Sequence, residues 1–116
     1  MIDCSTISPS ATTAFAARLR EREIGFVDAP VSGGSEGARL ATLTVFVGGE
    51  DADVERARPV LEALGRTITH FGPAGSGQAV KAVNQVVIAG VYLAVAEGMV
   101  LAMKAGLDAE SVAAAL

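Results

Sequence analysis

A long stretch without helix-breaking signals, residues 78–104, limits what this chain can fold into. Only Gly90 and Gly98 interrupt it, and a helix tolerates isolated glycines. At 1.5 Å per residue such a helix would be roughly 40 Å long. A single domain of 116 residues does not need a helix of that length. We therefore expect it to cross towards another domain or into a partner subunit, which predicts a homo-oligomer assembled through the long helix.

The apolar part of this helix is shorter than a membrane span. Eleven apolar residues at 86–96 are followed by Glu97, and six more precede Lys104. A helix that crosses a bilayer needs about 20 such residues. The pattern predicts a buried helix of a soluble protein, with no membrane partner.

Composition narrows the class of protein further. Hydrophobic residues make up 51% of the chain and aromatic residues only 4%, which is typical of a packed α/β protein and leaves few rings to stack on bases. The net charge of −4 and the scattered arginines argue against nucleic-acid binding. One cysteine and one histidine cannot assemble a metal site. The lone cysteine and the lack of an export signal favour the cytoplasm.

Local signals predict a strand, loop and helix at the start of the chain. A strand over residues 2–5 precedes a helix with Ser8 as N-cap and Pro9 in its first position, and Gly25 suits the residue just beyond its end. The pattern then predicts these further elements: a strand near 25–29, a loop at 30–37 with room for one helical turn, and a strand near 42–48.

The second half of the chain continues with alternating helix and strand signals. Asp51 could cap a helix over residues 52–64, which Pro59 would kink or divide and Gly65 would close. Residues 67–71 alternate in polarity and predict a strand. Further signals frame a final helix: Gly106 ends the long helix and Asp108 caps the next.

The stretch "GSGQAVKAVNQ", residues 75–85, places three polar side chains on one helix face. Lys81, Asn84 and Gln85 stand at i, i+3 and i+4 among apolar neighbours. Gly75 and Gly77 would let the backbone approach a bound group, and the helix N-terminus favours a carboxylate. Such residues are commonly solvated, but a polar island on an apolar helix is equally typical of a functional site.

Two other stretches could bind a ligand. In "DAPVSGG", residues 28–34, Ser32 and two glycines could present hydrogen-bond donors to an anion, although the pattern is also good turn chemistry. In "DCSTISP", residues 3–9, Ser5 and Thr6 could bind a ligand or serve the start of the next helix. A hydrolase using Ser32 or Ser76 with His70 is disfavoured because neither serine stands in a G-x-S-x-G motif. His70 is expected on a strand face, and Cys4 is expected to be a small packed residue.

In this order and spacing, "DCSTISP", "DAPVSGG", "FVGG" and "GSGQAVKAVNQ" resemble the β-hydroxyacid dehydrogenase family. This family includes 3-hydroxyisobutyrate dehydrogenase and 2-hydroxy-3-oxopropionate (tartronate semialdehyde) reductase. The resemblance covers essentially the whole chain. It implies an α/β fold: residues 1–76 as the second half of a Rossmann-type domain that binds NAD or NADP, then residues 77–116 as a long interdomain helix and the start of an all-α domain.

The resemblance also implies a role for each candidate residue. Lys81 matches the catalytic lysine, which exchanges a proton with the alcohol or carbonyl oxygen of a small hydroxy acid. The other matches are as follows: Ser32, Gly33 and Gly34 hold the substrate carboxylate, Asn84 and Gln85 bind substrate, and Thr6 contacts the cofactor. Asn84-Gln85 favours tartronate semialdehyde over 3-hydroxyisobutyrate and points away from phosphorylated sugar acids, whereas Lys81 points away from imine reductases.

This chain lacks the G-x-G-x-x-G fingerprint of the family. It resembles the central piece of a longer enzyme, so we expect it to be inactive alone. The alternative to an enzyme is a binding or oligomerisation module of the same fold, in which Lys81 has no catalytic role.

Overall fold

The computed structural model describes all 116 residues. In chain order the elements are β1 (Ile2–Asp3), α1 (Pro9–Arg20), β2 (Val27–Asp28), β3 (Val31–Ser32), α2 (Gly34–Arg39), β4 (Leu43–Gly49), α3 (Asp51–Glu62), β5 (Gly65–His70), α4 (Ser76–Lys104) and α5 (Ala109–Ala115). The residues form two compact units, unit 1 (Met1–Val83) and unit 2 (Asn84–Leu116), with the boundary inside α4.

Unit 1 is built on a mixed five-stranded sheet with β4 at its centre. One edge of β4 pairs antiparallel with β2 near Gly49 and with β3 near Val45, and the other edge pairs parallel with β5. β1 extends the sheet by pairing parallel with β2. The predicted α/β, Rossmann-type fold followed by a long helix is confirmed.

The core of unit 1 lies between the sheet and α3. Val27 of β2 and Val45 and Val47 of β4 pack with one face of α3. That face consists of Val54, Ala57 and Leu61, which are spaced at i, i+3 and i+7. Because β4 is central, its residues are buried as a nearly continuous apolar run rather than in alternation.

The start of α1 was predicted correctly and its end was not. The Ser8 hydroxyl accepts a hydrogen bond from the Ala11 amide, as an N-cap should. The helix ends at Arg20, and the left-handed residue beyond it is Glu23, with φ of 59°, rather than Gly25. Gly25 lies close to α3 instead, and a Cβ there would displace the Asp53 carboxylate.

The predictions for α3 need three corrections. Its N-cap is Glu50, without a side-chain cap, and Asp51 is its first residue. Pro59 lies inside the helix without dividing it, because the buried face of α3 holds the segment against the sheet on both sides of the proline. Gly65 opens β5, where a Cβ would overlap the Leu43 carbonyl, so the predicted strand at 67–71 begins earlier.

The predicted loop at residues 30–37 is largely regular structure. Val31 and Ser32 form β3, and Phe46 of β4 donates a backbone hydrogen bond to the Pro30 carbonyl between β2 and β3. Gly34 then begins the short helix α2. Local turn chemistry alone could not reveal β3, since the strand exists through pairing with β4.

The long helix is confirmed as α4, 29 residues from Ser76 to Lys104. In unit 2, Gly106 follows its end with φ of 78°, and the Asp108 carboxylate accepts a hydrogen bond from the Ser111 amide at the start of α5. By length and composition α4 could cross a membrane, with a mean hydropathy of 2.1 over its most apolar window, of which 6% is buried. That no membrane is involved stays a prediction.

Candidate functional site

The first turn of α4 is fixed to the sheet by a buried carboxylate. Asp28, fully buried at the end of β2, accepts a hydrogen bond from the Gly75 amide at 2.8 Å and another from the Gln78 amide at 3.0 Å. Amides at a helix N-terminus have no partner within the helix, and the helix dipole favours a negative charge beside them. The expectation that these amides are free for a bound carboxylate is therefore wrong, because the chain supplies its own.

The glycines of "GSG" serve this internal contact rather than an approach to a ligand. A Cβ on Gly77 would overlap the Phe46 carbonyl and lie 2.8 Å from an Asp28 carboxylate oxygen. Gly75 adopts φ of +97°, which side-chain-bearing residues rarely do, and a Cβ there would lie 2.9 Å from the Thr13 hydroxyl. The predicted close approach occurs, but its partner is the protein's own sheet and α1.

Gln78 joins α4 to the segment after β1. Its side chain is 1% exposed, and its Nε2 donates to the Ser5 carbonyl at 2.6 Å. Its Oε1 accepts from the Ile7 amide at 3.2 Å. The amide group thus bridges the two residues on either side of Thr6, more than 70 positions away in sequence.

Lys81 follows Gln78 by three residues on α4 and is only 8% exposed. No hydrogen bond or salt bridge joins its ammonium group to another group of the chain. The side chain is largely enclosed, while the ammonium nitrogen itself reaches solvent and is open to a partner from outside the chain. Lys104, the chain's other lysine, is by contrast exposed.

The two amide residues that follow the lysine on α4 belong to unit 2. Asn84 is half-buried, and its Oδ1 is buried without a hydrogen-bond partner. Gln85 is exposed. A buried carbonyl oxygen without a donor is unusual in proteins, and here it marks Asn84 as able to accept a hydrogen bond from a group outside the chain.

The remaining predicted residues lie elsewhere in unit 1. Thr6 is exposed in the segment after β1, and its hydroxyl makes no hydrogen bond within the chain. Ser32 ends β3 half-buried, also with an unpaired hydroxyl, and Gly33 and Gly34 follow it exposed. Gln78 ties the Thr6 segment to the helix that carries Lys81, whereas no hydrogen bond ties Ser32 to either.

The surroundings of Cys4 and His70 do not suit a catalytic role. Cys4 is exposed rather than packed, which corrects the prediction; partial burial of its thiol and the adjacent Asp3 carboxylate raise the pKa of the thiol. His70 Nε2 lies 2.9 Å from the carbonyls of both Gly49 and Gly72, which can only accept, so this nitrogen carries the proton. Neither residue is arranged as a nucleophile or a base.

Sequence reasoning passed over Asp28 and Gln78, which hold the site together. The signal for Asp28 was a carboxylate at the end of the apolar strand "GFVDAP", where an unpaired charge would be costly. For Gln78 it was an amide in the first turn of an apolar helix. Each signal indicates a buried polar group, but neither indicates which residue that group contacts.

Two family profiles together cover nearly all of the chain. The profile described as the NAD-binding domain of 6-phosphogluconate dehydrogenase matches residues 1–72. The profile described as NAD-binding of NADP-dependent 3-hydroxyisobutyrate dehydrogenase matches residues 75–116. The chain belongs to the β-hydroxyacid dehydrogenase family. The predicted family is therefore confirmed, and the profiles agree with NAD or NADP as the cofactor type.

Relatives within this family carry different substrate names. An NAD-dependent L-serine dehydrogenase of Pseudomonas aeruginosa is 44% identical over 97% of this chain, and the match spans 38% of that protein. The 2-hydroxy-3-oxopropionate reductase of Escherichia coli is 45% identical over the entire chain and 40% of its own length. A Mycobacterium tuberculosis 3-hydroxyisobutyrate dehydrogenase structure with L-serine is 47% identical, with a TM-score of 0.87 over 96% of this chain and 38% of the other. The chain thus spans about two fifths of the length of these relatives.

Proposed function

We propose that this chain forms the catalytic centre of an NAD(P)-dependent oxidoreductase of small 3-hydroxy acids, with Lys81 as the proton donor and acceptor. The observation that carries the proposal is that the Lys81 side chain is largely buried while its ammonium group has no partner within the chain. A lysine that serves only packing gains nothing from this position, whereas one that meets a substrate oxygen there obtains its missing partner.

The chemistry follows from charge. When bound, NAD(P)H would supply the hydride that the carbonyl carbon of the substrate accepts. As the C–H bond forms, negative charge develops on the carbonyl oxygen, and the Lys81 ammonium donates a proton to that oxygen to give the alcohol. In the oxidative direction neutral Lys81 takes the hydroxyl proton as hydride leaves the carbon. One hydride and one proton are transferred in each direction, so the reaction balances.

Other residues would bind and orient the reactants. The hydroxyls of Ser5 and Thr6 make no hydrogen bond within the chain, which fits contact with the polar groups of a dinucleotide, and Thr6 is proposed as the cofactor contact. Ser32, Gly33 and Gly34 are proposed to hold the substrate carboxylate, and the unpaired hydroxyl of Ser32 suits that role. The unpaired Asn84 Oδ1 would accept a hydrogen bond from substrate.

The substrate we propose is tartronate semialdehyde (2-hydroxy-3-oxopropionate), with 3-hydroxyisobutyrate as the second candidate. The support is Gln85 after Asn84, the pair by which the chain resembles tartronate semialdehyde reductases. The names of the relatives do not favour either, because the reductase and the dehydrogenases are nearly equally identical to this chain.

The role of Lys81 can be tested in a hybrid enzyme, in which this chain replaces the matching segment of the E. coli 2-hydroxy-3-oxopropionate reductase. We expect Lys81→Ala to lower kcat by about 10²–10⁴-fold, the usual contribution of a positioned proton donor. Lys104→Ala removes the exposed lysine and is the matched control, with kcat unchanged. Unchanged kinetics in Lys81→Ala would favour the non-catalytic module. The chain by itself is expected to show no turnover.

The role of Gln85 can be tested in the same hybrid. Gln85→Asn should raise kcat/KM for 3-hydroxyisobutyrate oxidation relative to tartronate semialdehyde reduction. The shorter side chain moves its amide away from the 2-hydroxyl group, which tartronate semialdehyde has and 3-hydroxyisobutyrate lacks. A lost hydrogen bond of this kind changes kcat/KM by about 10-fold. The chain's other glutamine, Gln78, is buried, so no second exposed glutamine can be substituted. Val86→Ala on the same helix serves as the control. An unaltered ratio in Gln85→Asn would remove the basis for preferring tartronate semialdehyde.

A further inference from the structure

Gln78 uses its whole side-chain amide to hold the Ser5–Ile7 segment. Nε2 donates to the Ser5 carbonyl at 2.6 Å, and Oε1 accepts from the Ile7 amide at 3.2 Å. The side chain is 1% exposed, so water does not compete for either bond. Thr6 lies between the two anchored residues, and its own side chain stays exposed and unpaired.

The backbone of Gln78 is fixed as well. Its amide donates to the Asp28 carboxylate, which also accepts from Gly75. Lys81 follows three residues later on α4, close to the same face of the helix. One residue therefore contacts the sheet through its backbone and the Thr6 segment through its side chain, within one turn of the lysine.

We propose that Gln78 is a positioning residue, which sets the Thr6 hydroxyl at a fixed place relative to Lys81 so that cofactor and proton donor are aligned. The inference rests on the proposed function and deepens it. Gln78 touches neither reactant in this arrangement. Its effect is on dinucleotide affinity, transmitted through the backbone of Ser5 and Ile7.

The first test uses Gln78→Met in the hybrid enzyme, because methionine fills a similar volume without either hydrogen bond. Calorimetric titration with NAD⁺ and NADP⁺ should show that the Kd of the preferred dinucleotide rises about 10-fold, the effect of losing two neutral hydrogen bonds that preorganise a loop. The KM for the acid substrate should stay within about twofold, since Ser32 and Asn84 are untouched. An unchanged Kd in a folded Gln78→Met variant would overturn the proposal.

A double-mutant cycle separates positioning of Thr6 from general loosening of the fold. Thr6→Val removes the hydroxyl that Gln78 is proposed to place. If Gln78 acts through Thr6, the double variant Thr6→Val, Gln78→Met should have a Kd for the dinucleotide little higher than that of whichever single variant binds it more weakly. Independent, multiplying effects on Kd would contradict action through Thr6.

The variant Gln78→Glu tests whether restoring the two hydrogen bonds restores dinucleotide affinity. Gln78→Glu retains the shape of the side chain, but an ionised carboxylate cannot donate to the Ser5 carbonyl. Its protonated form, which can again donate and accept, returns as the pH is lowered through the pKa of the introduced carboxyl group. Dinucleotide affinity of Gln78→Glu should recover on acidification while that of Gln78→Met does not. Parallel pH profiles for the two variants would refute the role of these hydrogen bonds.

One readout is independent of the cofactor. Amide hydrogen exchange at Ile7 should quicken in Gln78→Met, because its acceptor is gone, while the Ala79 amide, bonded to the Gly75 carbonyl, should keep its rate. If the unaltered hybrid binds no dinucleotide, the proposed function fails. If it binds but Gln78→Met changes neither Kd nor Ile7 exchange, only the positioning role fails.

Discussion

At the scale of single residues, unpaired groups separate the site from the rest of the surface. The exposed ion pair Arg39–Glu36 lies on α2 and the pair Arg58–Glu55 on α3. Such pairs contribute little to stability in water. The Lys81 ammonium group has no partner within the chain, and the Asn84 Oδ1 is buried without one. Both groups can form a hydrogen bond only with something outside the chain, which is why they, rather than the salt bridges, indicate function.

Cys4 provides a test of charge at this scale. Its thiol has a raised pKa, first from partial burial and second from the Asp3 carboxylate. The raised pKa leaves a smaller fraction of the thiol ionised at a given pH, and the thiolate is the form that reacts. Alkylation by iodoacetamide near neutral pH should therefore be slower in the folded chain than in urea. Well above the raised pKa the two rates should converge.

Asp3→Asn separates the two causes. It removes the smaller one, so reactivity should rise but stay below that in urea, whereas Glu62→Gln should leave it unchanged. Complete recovery in Asp3→Asn would show that charge rather than burial dominates.

At the scale of elements, the chain's own chemistry explains why some boundaries could be predicted. Ser8 and Asp108 cap their helices through hydrogen bonds three residues away, and α4 lacks any strong breaker, so local sequence contains the necessary information. Pro59 and β3 could not be predicted, because the first depends on the packing of α3 and the second on pairing with β4. Lys81 was placed on the correct helix for the same local reason, whereas Asp28 and Gln78 depend on contacts between distant segments.

The joint between β2 and α4 should be a major source of stability. Asp28→Asn replaces one acceptor with an amide donor, leaving either the Gly75 or the Gln78 amide buried without a partner. We expect a loss of about 1–3 kcal/mol in the free energy of unfolding, measured by urea denaturation. Glu62→Gln, at the exposed C-terminal end of α3, is the control and should change it by less than about 0.5 kcal/mol. Equal effects of the two substitutions would mean that the buried joint does not stabilise the fold.

At the scale of the whole molecule, α4 presents a large apolar surface in unit 2. The following side chains of α4 are each more than half exposed: Val86, Val87, Val91, Tyr92, Leu93, Val95, Leu101 and Met103. Soluble monomers rarely leave such a continuous apolar surface in water. We therefore propose that a second copy of the chain covers this surface, as the length of the apolar helix predicts.

Self-association can be measured directly. Sedimentation velocity of the chain should show dimers or larger species, and Leu93→Glu should shift them towards monomer because it places a charge in the contact. Leu40→Glu, at an exposed leucine of unit 1, should leave the distribution unchanged. A monomer at every concentration, or flotation with phosphatidylcholine vesicles in place of self-association, would contradict the proposal.

The joint at Asp28 also limits how this chain can exchange segments with its relatives. A Cβ on Gly48 would lie 2.6 Å from an Asp28 carboxylate oxygen and 2.8 Å from the Gly77 amide, so a side chain at position 48 would collide with the joint. Asp28 and Gly48 are separated by β3 and α2, and Gly48 and Gly77 by α3 and β5. A recombination breakpoint between residues 49 and 76 would draw the two sides of the joint from different parents, and it would succeed only where both parents carry the same three residues. Breakpoints outside residues 28–77 are free of this constraint, so natural shuffling within the family should avoid the interior of unit 1.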